Sequence, residues 1–368
     1  MTTPFQLGDE LGPVKILHLV NAAIGLKAIV VVDNIACGPA IGGTRMAPDV
    51  SLEECARLAR AMSFKNAAAG LAHGGAKSVI FADPSMKLEQ KEKLIRAFAC
   101  AIADVRSYIP GPDMGTDELC MAWIHDEIGR SVGLPREIGG IPLDELGATG
   151  FGLAVAAEVA EAFGGVKLDG ARMAIQGFGA VGQHAARQLA ARGAILVAAA
   201  DSRNTVTNKS GMDVDALIRT KTQQGRLAAH PDVEVLDSEH IVGVDCDIWI
   251  PAARPDVLTA ENVESVQAKL IIQGANIPAT AEAEESLHRR GILSVPDFIA
   301  NAGGVICAAV EFHGGTQVAA FAEIEDKIRR NTGEVLRRAR TNNELPRTSA
   351  VAMARQRIGN AMSLRRWH

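Results

Sequence analysis

The sequence lacks the features that mark membrane, secreted and nucleic-acid-binding proteins. Its longest purely apolar run, Ala194 to Ala200, is far too short to span a bilayer, and no basic segment with an apolar core opens the chain. The six cysteines form no CxxC pair and no His/Cys cluster, so we expect buried thiols, a reducing compartment and no bound metal. A net charge of −5 without a basic block argues against nucleic acid as a partner. We therefore expect a cytoplasmic protein with no membrane anchor.

The sequence does contain enough apolar residues, in two different patterns, for two domains. Its 368 residues exceed what one hydrophobic core usually supports, and 48% of them are apolar. Residues 14–37 hold two alternating apolar runs that are typical of strands in a sheet covered partly on one face. From residue 171 onward, short apolar strands alternate with helices, which predicts a doubly wound parallel sheet. The fold class is therefore α/β, with an N-terminal α+β domain before the doubly wound domain.

The domain boundaries follow from this order of elements. Gly and Pro concentrate at 139–152, where we place a hinge. The charged helical segment near the C-terminus is expected to return to the first domain. The prediction is thus one domain of residues 1–142 with 325–368, and a second domain of residues 143–324.

One helix and three charged residues stand out in the first domain. Ser51 followed by Glu54 is a capping-box signature, which predicts a helix of about 18 residues whose apolar face runs into Lys65. Burying that ammonium calls for an anion such as a substrate carboxylate. Lys77 follows a glycine pair and precedes a strand, so we expect it to project from a tight turn, where desolvation would make it a usable general base. Taken singly, both lysines also fit solvated residues, and Asp113 fits an ordinary turn aspartate.

A glycine-rich turn stands out in the second domain. Gly177-Phe178-Gly179-Ala180-Val181-Gly182 follows an apolar strand and leads directly into a helix. Gly177 permits the tight turn, Gly179 lets the backbone approach a pyrophosphate, and Gly182 lets the helix lie close to its strand. The helix N-terminus favours the negative charge of that pyrophosphate. The pattern predicts a dinucleotide site.

The acidic residue after the next strand bears on which dinucleotide binds. Asp201 lies 24 residues beyond Gly177, where a carboxylate can bind the ribose hydroxyls of NAD. Arg203, two residues on, could instead neutralise the 2′-phosphate of NADP, although an isolated arginine there also fits a solvated side chain. We expect NAD as the cofactor, with NADP left open.

Taken together, these segments resemble the glutamate/leucine/phenylalanine/valine dehydrogenase family. The resemblance extends from Gly42 to about Glu311 and is closest in character to the leucine and phenylalanine enzymes. Its motifs occur in the family's order and spacing: GGTRM at 42–46, MSFKNAAAGL at 62–71, GGAK at 74–77, PDMGT at 112–116, GFGAVG at 177–182, QGAN at 273–276 and PDFIANAGGV at 296–305.

This resemblance implies an oxidoreductase that reversibly converts an L-amino acid to its 2-oxo acid and ammonia. Lys77 would be the catalytic base, Asp113 would exchange protons with the amino group, and Lys65 would bind the α-carboxylate. A homo-oligomer assembled through the first domain is also implied, with a Rossmann domain as the second. The remaining expected substrate contacts are Gly43, Ile41, Val305 and Ala308. The expected cofactor contacts, besides Gly177 to Gly182, are Thr149, Asp201, Ser202, Ala252, Ala253 and Asn276.

Two of these positions indicate the chemical character of the substrate side chain. In the family's glutamate branch a lysine and a serine hold the side-chain carboxylate, and here those positions are Ile41 and Ala308. Neither can satisfy a buried carboxylate, which predicts an apolar substrate such as leucine, valine, isoleucine or phenylalanine.

Two alternatives remain. The hinge sequence PLDELGATGFG looks more like the glutamate branch, so one alternative is a glutamate dehydrogenase in which His73 or His313 supplies the missing positive charge. The other alternative, from a different class, is a non-catalytic dinucleotide sensor, because a fold alone does not establish catalysis.

Overall fold

The structure is a computed structural model that describes residues 4–366, and its contacts divide the chain into two units. The first unit consists of Met1–Leu143, Val305–Glu323 and Val351–His368. The second consists of Asp144–Gly304 and Ile324–Ala350.

A five-stranded mixed sheet forms the centre of the first unit. Its strand order is β1-β2-β4-β3-β5; β3 is parallel to both β4 and β5, and the other pairings are antiparallel. The strands are β1 (Lys15–Asn21), β2 (Leu26–Asn34), β3 (Ala40–Ala47), β4 (Gly74–Phe81) and β5 (Tyr108–Pro112). The α-helices among residues 4–143 are α1 (Leu52–Ala68), α2 (Leu88–Ala101) and α3 (Glu118–Ile128), which follow β3, β4 and β5 in turn.

Both faces of this sheet are covered, whereas the sequence predicted partial cover of one face. Val30 and Val32 of β2 join a core with Phe98 of α2, while Ile29 and Val31 join a second core with Cys55 and Ala59 of α1. Since alternate residues of a strand point to opposite faces, a strand buried on both faces carries apolar residues without interruption. The run Ala28 to Val32 of β2 has this composition.

The predicted first helix is confirmed, and its contact with β4 corrects the prediction for Lys77. Ser51 caps α1, with its Oγ accepting from the Glu54 N–H at 3.1 Å. Gly74 and Gly75 do not form a turn: they lie within β4, so Lys77 is a strand residue. The strand extends through them because α1 lies directly on its backbone, and a Cβ at Gly75 would be 2.0 Å from the Ser63 nitrogen.

The second unit contains a seven-stranded sheet in the order β12-β11-β10-β6-β7-β8-β9. The five strands from β12 to β7 are parallel, as predicted, whereas β8 and β9 are antiparallel additions at one edge. The strands are β6 (Arg172–Gln176), β7 (Ile195–Ala200), β8 (Asn204–Met212), β9 (Glu234–Asp237), β10 (Ile248–Pro251), β11 (Leu270–Ile272) and β12 (Leu293–Val295). The helices are α4 (Ala148–Gly164), α5 (Ala180–Ala190), α6 (Val214–Gln224), α7 (Ala281–Arg289) and α8 (Asp297–Ala300).

The last three helices are divided between the units differently from the predicted domains. They are α9 (Gly303–Phe312), α10 (Gln317–Asn342) and α11 (Pro346–Met362). Residues 305–323, predicted in the second domain, fall in the first unit, and residues 325–350, predicted in the first domain, fall in the second.

Specific polar contacts account for this division. The Glu311 carboxylate accepts from the N–H groups of Gly133 and Ile141 at 2.7 and 2.6 Å, which ties α9 to the first unit. Arg329 of α10 pairs with Glu158 of α4 in the second unit. Arg357 of α11 donates to the Ala68 carbonyl in the first unit at 2.6 Å.

The prediction of six buried thiols is correct for four of them. Cys55, Cys120, Cys246 and Cys307 are buried, whereas Cys37 is half-buried and Cys100 is exposed, and none of these six, all within residues 4–366, forms a disulfide. Cys100 lies in the last turn of α2. The apolar character of cysteine did not predict its exposure there. Within residues 4–366, none of the helices is both long and apolar enough to cross a membrane.

The close contact between α1 and β4 predicts a position-specific loss of stability. Gly75→Ala would place its Cβ 2.0 Å from a backbone atom of α1, so the helix must shift, and we expect the free energy of unfolding to fall by about 2 kcal/mol or more. Gly359→Ala is the matched control, because Gly359 lies inside α11 with nothing within 4 Å of the added Cβ. That control should be neutral or stabilised by about 0.5–1 kcal/mol. Chemical unfolding followed by circular dichroism measures both, and equal stability of the two variants would contradict the packing described.

Candidate functional site

Four charged side chains of the first unit form a connected cluster. Lys77 Nζ lies 3.0 Å from Asp113 Oδ2, and Arg45 Nε donates to the same oxygen at 2.8 Å. Arg45 Nη1 donates in turn to Glu54 Oε1 at 2.5 Å. We call Lys77, Asp113, Arg45 and Glu54 the charge cluster. It contains both residues that the sequence predicted to be catalytic.

The sheet order brings the cluster together. Lys77 lies on β4, Arg45 lies on the neighbouring β3, and Asp113 follows β5 on the far side of β3. Lys77 is two residues from Val79, which packs against α1, so the lysine shares that face of the sheet. Glu54 comes from the first turn of α1.

Gly43 makes the contact between the lysine and the aspartate possible. It lies on β3 between the two strands that carry them. A Cβ built on Gly43 would lie 2.8 Å from Asp113 Cβ and 3.1 Å from Lys77 Nζ. Any side chain there would force the two apart. The sequence assigned Gly43 to substrate binding, and the structure adds this spacing role.

The turn after β5 fixes the position of Asp113. Thr116 Oγ1 accepts from the Asp113 N–H at 3.0 Å and donates to the Thr44 carbonyl of β3 at 2.7 Å. Gly115 has φ +83°, and a Cβ there would lie 2.1 Å from the Met46 carbonyl oxygen. The PDMGT motif therefore encodes a turn held against β3, with its aspartate carboxylate directed at two cations and not at its own main chain.

The electrostatics of the cluster make the Lys77 ammonium lose its proton more readily than a free lysine does. Burial lowers the pKa of Lys77 below its usual 10.5, the nearby Asp113 opposes this, and the second cation, Arg45, adds to the lowering. Burial alone would raise the pKa of Asp113, but Lys77 and Arg45 outweigh it and lower that pKa. Lys77 is only 5% exposed. An amine that loses its proton more readily than a free lysine, next to a carboxylate that is ionised before the reaction begins, can act as a general base.

The other predicted substrate residues lie in the same unit. Lys65 is half-buried near the end of α1, and the next residue, Asn66, donates to the Gly74 carbonyl of β4 at 2.6 Å. Ile41 is buried on β3. Val305 is half-buried and Ala308 is buried, both on α9.

The glycine-rich turn of the second unit has the shape that a dinucleotide phosphate requires. Gly177 has φ +88°, and a Cβ there would lie 2.7 Å from the backbone of Ala252 and Ala253. At Gly182 a Cβ would lie 2.2 Å from the Gly177 oxygen, whereas at Gly179 it would meet nothing within 4 Å. Gly179 is also the N-cap of α5, and it provides no side-chain hydrogen bond to the first-turn N–H groups. Open space beside donors at a helix N-terminus suits a pyrophosphate.

Most of the other predicted cofactor residues follow the carboxyl ends of adjacent parallel strands. Gly177 follows β6, Asp201 and Ser202 follow β7, Ala252 and Ala253 follow β10, and Asn276 lies beyond β11. Parallel strands place these ends at one edge of the sheet. Thr149 is in the first turn of α4, one turn before Leu153, which lies near Gly274 of the QGAN segment.

The structure gives Phe178 a packing role that the sequence did not indicate. Its side chain is fully buried and its N–H donates to the Ala200 carbonyl at 2.9 Å. Neither the ring nor the N–H is therefore available to a cofactor. Ala180 is exposed and Val181 half-buried at the start of α5, where main-chain contact is possible.

Several supporting residues were missed by the sequence reasoning. Asn301 Nδ2 donates to Asn276 Oδ1 at 3.1 Å, and Asp297 Oδ2 accepts from the Ile277 N–H at 2.8 Å. Thus two residues of the PDFIANAGGV motif hold the QGAN segment. The motif itself was the available signal. Arg45 also stood in a quoted motif, but its partners become visible only in the structure.

Lys221 changes the surroundings of Asp201. Asp201 Oδ1 accepts from the N–H groups of Arg203 and Asn204 at 2.9 and 3.2 Å, and its Oδ2 lies 3.6 Å from Lys221 Nζ of α6. Burial raises the pKa of Asp201, but these N–H groups and Lys221 outweigh it and lower that pKa. The carboxylate therefore stays ionised beside a cation that no local sequence pattern revealed.

Comparison with known proteins gives matches along both units. The family model described as Glutamate/Leucine/Phenylalanine/Valine dehydrogenase matches residues 139–366, and its dimerisation-domain model matches residues 18–130. Glutamate dehydrogenase of Aeropyrum pernix is 36% identical, with 91% of this chain and 85% of the relative covered. NADP(+)-dependent glutamate dehydrogenase of Pyrobaculum calidifontis is 37% identical with the same shares covered.

Two solved structures extend these matches. The hetero-hexameric glutamate dehydrogenase of Thermus thermophilus, in a leucine-bound form, has a TM-score of 0.86 at 30% identity, covering 96% of this chain and 90% of that one. L-tryptophan dehydrogenase of Nostoc punctiforme has a TM-score of 0.74 at 25% identity, covering 96% and 98%.

The charge cluster predicts that Asp113 stabilises the fold in a pH-dependent way. Asp113→Asn would leave Arg45 and buried Lys77 without their shared anion, and we expect a loss of about 2–3 kcal/mol in the free energy of unfolding at pH 7. The control is Asp245→Asn, which removes the partner of Arg172 from an exposed pair and should leave the free energy of unfolding nearly unchanged.

The sign of the pH dependence follows from the lowered pKa of Asp113. Its stabilisation is present above the unfolded pKa of about 4 and is lost as the pH falls through the folded pKa. The difference between wild type and Asp113→Asn should therefore shrink in acid. Urea unfolding from pH 7 down to pH 3 measures it, and a difference that grows in acid would contradict the assignment.

Proposed function

The chain belongs to the glutamate/leucine/phenylalanine/valine dehydrogenase family and is an NAD(P)-dependent amino-acid dehydrogenase, and we propose that it reversibly deaminates an L-amino acid to the 2-oxo acid and ammonia. The observation that carries this proposal is the contact of buried Lys77 with Asp113. These are the two residues to which the sequence assigned proton transfer.

The proposed roles follow from the chemistry of each group. Lys65 binds the α-carboxylate of the substrate as an ammonium. A nicotinamide held by the second unit would supply the acceptor for the hydride of Cα. Asp113 takes the proton that the amino group loses as it becomes an iminium. Lys77 as the neutral amine removes one proton from the water that attacks the iminium carbon, which gives a carbinolamine. Asp113 returns its proton to the nitrogen and then accepts the hydroxyl proton as the C–N bond breaks, so that ammonia and the 2-oxo acid are released.

The cofactor is held by residues of the second unit in this proposal. The segment Gly179 to Gly182 and the N-terminus of α5 bind the pyrophosphate, and Asp201 with Ser202 faces the adenosine ribose. Ala252, Ala253, Asn276 and Thr149 complete the set. We also propose that the protein is a homo-oligomer assembled through the first unit, which the match to a dimerisation domain supports.

We propose L-glutamate as the first candidate substrate, because relatives that are 36% and 37% identical over 91% of this chain are glutamate dehydrogenases. A second candidate, an apolar L-amino acid, is favoured by Ile41 and Ala308, which are both buried and offer no donor to a side-chain carboxylate.

Of the two histidines suggested as a replacement for the missing lysine, His73 does not supply a charge at neutral pH. His73 and His313 face each other, with their Nε2 atoms 3.0 Å apart, and His73 Nδ1 lies 2.9 Å from the Pro39 carbonyl oxygen. Burial lowers the pKa of His73 below 6.5, and His313 lowers it further. His73 therefore does not replace the positive charge of the lysine that the glutamate branch carries.

Turnover on a panel of amino acids tests the reaction and the substrate together. With L-glutamate as substrate we expect kcat/KM at least 10-fold above that for L-leucine or L-phenylalanine, measured as NAD(P)H formation at 340 nm. Because an arginine cannot lose its proton, Lys77→Arg should reduce turnover by at least about 100-fold with every substrate while NADH still binds.

Three outcomes would overturn parts of this proposal. A preference for leucine or phenylalanine would reject glutamate and support the apolar candidate. Full activity of Lys77→Arg would remove Lys77 from the mechanism, and no turnover on any amino acid with wild type would favour the dinucleotide sensor.

The position of Lys221 beside Asp201 predicts that its charge affects the binding of NADP more than the binding of NAD. We propose that the chain accepts both NAD and NADP, because Lys221 beside Asp201 offsets the repulsion between that carboxylate and a 2′-phosphate. Lys221→Ala should raise the KM for NADP about 10-fold and change the KM for NAD by less than about 3-fold, through loss of a charge-assisted contact. Lys209→Ala, an exposed lysine of β8, is the control for net charge. An equal increase for both cofactors would contradict a role for Lys221 at the 2′-phosphate.

A further inference from the structure

The proposed mechanism uses two members of the charge cluster and leaves Arg45 and Glu54 without a role. Arg45 donates through Nε to Asp113 Oδ2 at 2.8 Å and through Nη1 to Glu54 Oε1 at 2.5 Å. Its side chain is 18% exposed, compared with 28% for Glu54. A guanidinium that is bonded along two of its edges has a fixed orientation.

Asp113 Oδ2 is shared by two cations. Lys77 Nζ lies 3.0 Å from it and Arg45 Nε 2.8 Å. If Lys77 were the only cation, its ion pair with Asp113 would hold the amine in its protonated form, because deprotonation would leave a buried carboxylate without a counter-charge. With Arg45 in place, Lys77 can lose its proton while Asp113 keeps a partner.

We propose that Arg45, oriented by Glu54, is a positioning residue that serves as the permanent counter-ion of Asp113 and so allows Lys77 to alternate between ammonium and amine. This inference rests on the proposed function of Lys77 and Asp113. Arg45 acts through Asp113 in this account, and Glu54 acts through Arg45.

The other groups around Lys77 keep a constant charge through the working range of pH. Cys55 of α1 donates through Sγ to the Lys77 carbonyl at 3.4 Å, and burial raises the pKa of that thiol to about 12. Tyr108 of β5 is fully buried, bonds Ser78 and Thr44 on the opposite face of the sheet, and has a pKa raised by burial. Arg45 has a pKa raised by Asp113 and Glu54 against its burial. Lys77 and Asp113 are therefore the pair whose protonation changes.

The location of Glu54 supports a role beyond helix capping. Ser51 Oγ fixes the start of α1 by accepting from the Glu54 N–H at 3.1 Å, and this sets the first turn of the helix beside β3. In a capping box the glutamate side chain reaches back to the N-cap residue. Here its carboxylate accepts from Arg45. The same sequence signature thus supplies both a helix start and an anchor for the guanidinium.

The pH dependence of turnover tests the proposal. Arg45→Met removes a positive charge next to Lys77 and leaves Lys77 as the one cation in the cluster that contacts Asp113. Both changes raise the pKa of the lysine. We expect the midpoint of the ascending, acidic limb of kcat for oxidative deamination, where Lys77 loses its proton, to move up by about one pH unit and kcat at pH 8 to fall about 100-fold. The KM for NAD(P) should stay within about 2-fold of wild type.

Two milder variants and a control complete the set. Arg45→Lys keeps the charge but loses the two-sided contact, and Glu54→Gln keeps the shape but weakens the anchor, so each should give a smaller decrease of about 10-fold with a smaller shift. They keep the test valid if Arg45→Met does not fold. The control is Arg96→Met, which removes an arginine of the same unit that binds Glu92, Asp126 and Glu127 away from Lys77. It should leave both kcat and the midpoint unchanged.

Chemical labelling of Lys77 separates this inference from the proposed function. The rate at which an amine-specific acylating reagent modifies Lys77, followed by peptide mass spectrometry against pH, reports the free amine without turnover. We expect the midpoint to lie at higher pH in Arg45→Met than in wild type. An unchanged labelling midpoint, with a loss of activity no greater than that of Arg96→Met, would overturn the role of Arg45. Absence of amino-acid turnover in wild type together with a shifted midpoint would reject the proposed function and retain the counter-ion.

Discussion

Burial of a lysine against a carboxylate is the constraint on which the chemistry of the first unit depends. An ammonium that is 5% exposed is costly unless an anion lies beside it, and Asp113 meets that need. A simple buried pair, however, would lock the lysine in its charged form. The charge cluster avoids this because Arg45 gives the carboxylate a second, permanent partner. Burial and a like charge then lower the pKa of the lysine, and the carboxylate is ionised before the reaction begins. The environment of Lys77 is therefore set by three strands and a helix and not by the loop that its sequence context suggested.

Two glycines provide the space that the charge cluster needs and allow the backbones around it to lie close together. Gly43 has no side chain, so Lys77 and Asp113 can contact each other beside it. Gly75 lets the backbone of α1 lie against β4. Both glycines are in strands, where glycine ordinarily weakens a sheet. Here the weakening is offset by contacts that any Cβ would prevent. The same logic applies in the second unit, where Gly177 and Gly182 allow close approach of backbone and the space at Gly179 stays open.

The sequence predicted those elements whose own residues determine them. Alternating apolar runs gave β1 and β2, the Ser51 signature gave α1, and GFGAVG gave the turn before α5, because each depends on local physics. The strand β3 was not predicted, because its sequence AIGGTRMA contains two glycines and an arginine that interrupt the alternation of apolar and polar residues. The assignment of α9 and α10 to units depends on Glu311 and Arg329, whose partners are distant in sequence. The pairings of Arg45 and Lys221 likewise arise only from tertiary structure.

In the proposed site, substrate preference depends on desolvation at two positions, Ile41 and Ala308. An apolar side chain placed against Ile41 and Ala308 would gain about 25 cal/mol for each Å² of apolar surface removed from water. A carboxylate in the same place would lose its hydration and find no donor on either residue, at a cost of several kcal/mol unless other groups supply hydrogen bonds. His73 does not change this balance at neutral pH, because burial keeps it uncharged. The glutamate dehydrogenases among the relatives argue in the opposite direction. If glutamate is the substrate, its side chain must therefore be bound by donors outside positions 41 and 308, and the reaction chemistry at Lys77 and Asp113 would be the same for either substrate.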